Sequence, residues 1–124
     1  MNNRSVARSA SLPVESSFVI DRTALKRLEK NATRACSLLD AMSNPSRLLI
    51  LCHLAESEKS VGELQPLIGL SQSALSQHLA VLRLKRLVRT RRAGQQIYYS
   101  LASDEAAAVM HTLHETFCAP PRKR

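Results

Sequence analysis

Two short helical patterns meet at a Gly69-Leu70 turn, an alternating, basic β-hairpin pattern follows them directly, and capped amphipathic helices stand on either side. Together these observations predict a mainly α-helical fold with a β-hairpin wing, the winged helix-turn-helix class.

The first helix opens at Asp21, a candidate N-cap, and Leu25, Leu28, Ala32, Ala35, Leu39 and Met42 then step by three and four along one stripe. Cys36 sits beside that stripe and is expected to be buried as a small hydrophobe. In the second helix Asn44 is placed to cap and Pro45 to take the first helical position, where no hydrogen bond is lost. Its body from Arg47 to Ala55 is apolar nearly all round, so it should be central, with Cys52 on a packed surface and His53 satisfied at an edge. Glu56 to Lys59 reads as a polar loop.

Ser60-Val61-Gly62-Glu63 has the form of a capping box at the start of a short third helix. Pro66 lies inside it, and the lost donor predicts a kink or an irregular turn between Gly62 and Pro66. The fourth helix follows Ser71, a candidate N-cap, and anchors through Leu75, Leu79 and Leu82. Gln72, Ser73, Ser76 and Gln77 occupy its other side near the N-terminus, with His78 next in line and Arg83 in the last turn. Hydroxyl and amide side chains exchange hydrogen bonds with base edges, and a helix N-terminus favours phosphate, so this helix is expected to read DNA in the major groove. Leu87 to Arg92 and Gln95 to Leu101 are the expected strands of the wing, joined by Ala93-Gly94, with Arg91, Arg92 and Gln95 at its tip to hold backbone phosphates or enter the minor groove. Ser103 or Asp104 should cap a last helix whose stripe is Ala107, Met110, Leu113 and Phe117, leaving Cys118 at its end.

Charge supports a polyanionic partner. The net charge is +8 over 124 residues, no acidic residue occurs between Glu63 and Asp104, and Arg83, Lys85, Arg86, Arg89, Arg91 and Arg92 crowd one stretch. With two Tyr, two Phe and no Trp, the chain lacks the stacking platforms of single-strand binders, which points to double-stranded DNA. An odd set of three cysteines behind a polar, Ser-rich start predicts free thiols in a reducing cytoplasm, and no run is long enough for a membrane span. Residues 1–20 and 119–124 are expected as tails around a domain spanning 21–118. The chain has no C-x-x-C pair, no glycine-rich phosphate loop and no acid–base constellation, so neither an enzyme nor a cofactor is expected.

The segments SNPSRLLILCHL, SVGEL, LSQSALSQHLAVLR and RRAGQQIYYSL, in that order over Leu25 to Phe117, resemble the ArsR/SmtB family of bacterial winged-helix repressors. The resemblance implies a homodimer joined through the first and last helices, binding an inverted-repeat operator until an inducer releases it. The family's arsenic site, a Cys-x-Cys run, is replaced here by Val61-Gly62-Glu63-Leu64. Its zinc site is incomplete, since His111 and His114 supply one half while the spacing from Asp104 does not fit, and no metal site is expected. The dithiol, persulfide-sensing branch of BigR- and SqrR-type repressors carries one cysteine within ILC of the second helix and one at the end of the last. Ile50-Leu51-Cys52 and Phe117-Cys118 match both, so the resemblance implies that reactive sulfur species act as the inducer by linking Cys52 and Cys118. Arg86 departs from the glycine that many relatives use to end the reading helix. Two other readings stay open: a metal or metalloid sensor of the same fold, and an architectural DNA-binding protein with no sensor.

Overall fold

The structure, a computed structural model, describes residues 19–118 and Pro120. The expected tails therefore fall outside the described residues except for Val19, Ile20 and Pro120. The elements run α1 (Arg22–Met42), α2 (Pro45–Glu56), β1 (Lys59–Ser60), α3 (Val61–Ile68), α4 (Gln72–Leu84), β2 (Val88–Ala93), β3 (Gln96–Leu101) and α5 (Asp104–Phe117). Contacts divide the chain after Arg34 into two compact units, the opening turns of α1 belonging to the first. In that unit Asp21 caps α1, its carboxylate accepting from the Ala24 N–H at 2.7 Å. Leu25 and Leu28 are 45% and 48% exposed.

The second unit holds the core. Local side chains start each of its later helices: Asn44 accepts from the Arg47 N–H, Ser71 from Ala74 and Ser103 from Ala106. Ser60 and Glu63 form the expected capping box, each satisfying the other's backbone N–H. Ile50, Leu51 and Leu54 of α2, Leu64 of α3 and Leu75, Leu79 and Leu82 of α4 are buried together with Ala106 and Met110 of α5. The α2 helix is thus central, as its all-round apolar body predicts.

Five expectations change in detail. The third helix runs unbroken through Pro66, with no irregular turn. The proline removes a bond only from the carbonyl of Gly62, four residues back, and both residues are exposed to water. Lys59 is not in a polar loop: with Ser60 it forms a third strand, giving the order β1-β3-β2 with Lys59 opposite Tyr99. The wing turn sits one residue later than expected, at Gly94-Gln95, because Ala93 pairs with Gln96 and Gly94, at φ 63°, supplies the positive angle the turn needs. On α5, Ala106 rather than Ala107 is the fully buried alanine, and Phe117 is 77% exposed. Cys36 and Cys52 are both exposed.

The end of α4 meets the fold without a glycine. Arg86 has φ 64°, and the Leu87 N–H bonds the Leu82 carbonyl at 2.9 Å while the Arg86 N–H bonds that of Arg83 at 3.0 Å. This is a Schellman ending with arginine in the left-handed position, sealed by two buried leucines, Leu82 and Leu87. No helix among the described residues is long and apolar enough to cross a membrane.

Candidate functional site

The helix α4 presents its two faces as its sequence divides them. Leu75, Leu79 and Leu82 are fully buried, while Gln72, Ser73, Ser76, Gln77 and Arg83 are exposed. His78, three residues after Leu75 and four before Leu82, borders the buried stripe and is half-buried. The α3 helix ends at Gly69, left-handed at φ 81°, which lets the chain turn tightly into α4. Ser76 and Arg83 also line a shallow depression with Arg86 and Tyr99, so the cationic surface continues from α4 to its C-terminal turn. Arg86 and Tyr99 were not among the expected contact residues.

The wing carries its cations differently from expectation. Gln95 lies in the tip turn and Arg92 in the second pair below it, opposite Ile97, both exposed. Arg91 is paired opposite Tyr98 and is not at the tip. Its guanidinium is held by Glu58, with Nη2 to Oε1 at 2.7 Å and Nε to Oε2 at 2.9 Å, and stacks 4.8 Å from the centre of the Tyr98 ring. The arginine holds the Glu58 carboxyl below the usual carboxylate range, and the same hydrogen bond raises the arginine. No local sequence signal marks this contact, because its partners stand 33 residues apart.

The two expected sensor thiols come together. Cys52 of α2 and Cys118, the C-cap of α5, line one groove of about 300 Å³ with Leu48, Leu49, Met110, Leu113, His114 and Phe117. Cys118 is fixed there through its N–H, which bonds the His114 carbonyl at 2.9 Å. Burial pushes the Cys52 thiol up, and charge on Cys118 adds to the rise. Cys36 is outside this groove. Among the described residues no three His, Cys, Asp or Glu side chains are grouped to hold a metal ion.

A helix-turn-helix with an exposed polar face, a basic hairpin beside it and flanking helices defines a DNA-binding transcription regulator of the winged-helix class. Residues 44–90 match the bacterial regulatory protein family named arsR. The chain is 51% identical over 94 residues to the transcriptional activator HlyU of Vibrio cholerae, covering 76% of this chain and 87% of that protein. It is 44% identical over 108 residues to the biofilm growth-associated repressor of Agrobacterium fabrum, covering 87% and 92%. Among solved structures, the repressor BigR from Xylella fastidiosa superposes with a TM-score of 0.73 at 44% identity, covering 77% of this chain and 98% of that one. Reduced HlyU from Vibrio cholerae gives a TM-score of 0.71 at 50% identity, covering 76% and 99%. The chain belongs to the ArsR family, whose members are transcription regulators and not enzymes.

Proposed function

We propose that the protein is a homodimeric repressor that leaves its operator when reactive sulfur species link Cys52 to Cys118. The single observation that carries this reading is the shared groove: two thiols 118 − 52 = 66 residues apart in sequence line one apolar cleft between α2 and α5. A solved relative is described as the reduced protein, which fits a regulator whose thiol state matters. The names of the relatives include an activator and a repressor, and the proposal concerns operator occupancy, the step common to both.

The chemistry balances with a persulfide as oxidant. The Cys118 thiolate attacks the outer, sulfane sulfur of R–S–SH, forming a Cys118 persulfide as R–S⁻ leaves and takes up a proton. The Cys52 thiolate then attacks Sγ of Cys118, closing the disulfide and expelling hydrosulfide. Two thiols are oxidised and one sulfane sulfur is reduced. Cys118, at the end of α5, is the first nucleophile, while burial pushes the Cys52 thiol up and suits it to the second step. A bond between the α2 body and the end of α5 then shifts the dimer towards a spacing of recognition helices that no longer fits both half-sites.

On DNA, Gln72, Ser73, Ser76, Gln77 and His78 read bases in an inverted repeat, while Arg83, Arg92 and Gln95 hold the backbone. Arg91 belongs to the same basic set but is neutralised by Glu58. The test compares wild type with Cys36→Ser, Cys52→Ser and Cys118→Ser before and after a persulfide donor, reading operator affinity and cross-linked peptides by mass spectrometry. Wild type and Cys36→Ser should release DNA. Release by either of the other two at the same donor concentration refutes the two-thiol mechanism, and zinc or arsenite releasing DNA instead supports the metal-sensing alternative.

A further inference from the structure

We propose that Glu58 sets how much of the wing's positive charge is available to DNA, by holding the Arg91 guanidinium in an internal pair that persists when the duplex binds. Glu58 stands just before β1 and Arg91 lies on β2, with β3 between them. The carboxylate therefore reaches across the middle strand to a guanidinium that rests over the Tyr98 ring of that strand. Two oxygens accept from two nitrogens at 2.7 and 2.9 Å, the fork geometry in which arginine binds carboxylate or phosphate best. The ring holds the guanidinium from a second side.

A phosphate offers Arg91 the same fork, but exchanging partners would leave the Glu58 carboxylate bare against a polyanion. No counterion would be released in such an exchange, since the arginine is already neutralised. The charge of Arg89 also lowers the Glu58 carboxyl. Arg92 differs: among the described residues its guanidinium meets only the Gly94 carbonyl, at 3.4 Å, and it stands nearer the tip. The wing thus reaches DNA with Arg92 available and Arg91 spent on fixing the three strands to one another. Because non-specific binding is almost wholly electrostatic, neutralising one wing cation lowers affinity for arbitrary DNA more than for an operator read through bases.

The test uses a mixed-sequence DNA duplex as probe and follows affinity against salt for wild type, Glu58→Gln, Arg91→Ala, the double variant and Arg92→Ala. All three positions are exposed, so none of the changes opens the buried core. Glu58→Gln should steepen the salt slope by about 0.9, an additional loss of about 3.5-fold across a fourfold rise in salt. Most of that steepening should vanish when Arg91 is also Ala, so the double variant, which leaves no bare carboxylate, should keep more of the wild-type slope than Arg92→Ala. Equal steepening with and without Arg91 would mean that Glu58 acts only through its charge and would overturn the proposal. An unchanged slope in Glu58→Gln, or a double variant that loses as much slope as Arg92→Ala, would do the same.

Discussion

The Cys52 thiol is raised first by burial and then by charge on Cys118. Its alkylation by iodoacetamide should therefore have a pH midpoint above that of an ordinary cysteine. In Cys118→Ser the midpoint should fall, but not fully, because burial remains; a midpoint that does not move would remove the electrostatic coupling between the thiols. Arg86 is strained in another way. Left-handed backbone costs a side chain about 1 to 2 kcal/mol, and the greater freedom of glycine in the unfolded chain takes back about 0.5 to 1. Arg86→Gly should thus stabilise the protein by about 0.5 to 1 kcal/mol in chemical denaturation. Single residues were most legible where their partner is close in sequence: Asn44, Ser60, Ser71 and Ser103 each cap a backbone N–H three residues on. The Lys85 ammonium on the Ser37 hydroxyl, 48 residues away, has no such local mark.

Among the elements, α4 and the wing answer to different measurements. Leu79 is fully buried at the centre of α4, so Leu79→Ala should cost about 2 to 5 kcal/mol and be seen in global unfolding. Gly94→Val places a β-branched side chain at φ 63° in an exposed turn with open space around it. Its cost is backbone strain in the wing alone, so DNA affinity should fall while the unfolding midpoint of the helical core changes little. Periodicity made the helices readable because their stripes are local repeats. It misplaced the wing turn by one residue because alternation continues through Ala93, and only pairing with Gln96 decides where the strand ends. A strand as short as Lys59–Ser60 carries no period at all, and it exists because β3 is beside it. The same limit applies to the groove: sequence resemblance paired Cys52 with Cys118, but nothing local announced Leu49 or Phe117 as its walls.

For the whole molecule, the proposed homodimer assigns the exposed apolar residues Leu25 and Leu28 of α1 and the 77% exposed Phe117 of α5 to its interface. Sedimentation at micromolar concentration should give a dimer with and without DNA, and a stable monomer would refute the homodimeric reading. Lys59 has a consequence of a different kind. Its ammonium is enclosed, donating to the carbonyls of His53 and Ser57, the Ser57 hydroxyl and the Glu56 carboxylate at 2.8 to 3.4 Å, and its side chain is only 11% exposed. An amine must shed its proton and present a lone pair to be acylated, and this one has every hydrogen engaged inside the fold. In a time course with an N-hydroxysuccinimide ester, Lys26 and Lys30, both exposed, should be labelled early and Lys59 late. Lys59 is thereby a chemical clock for the joint between the end of α2 and the sheet: acylation there counts openings of that joint, in solution and without an introduced probe.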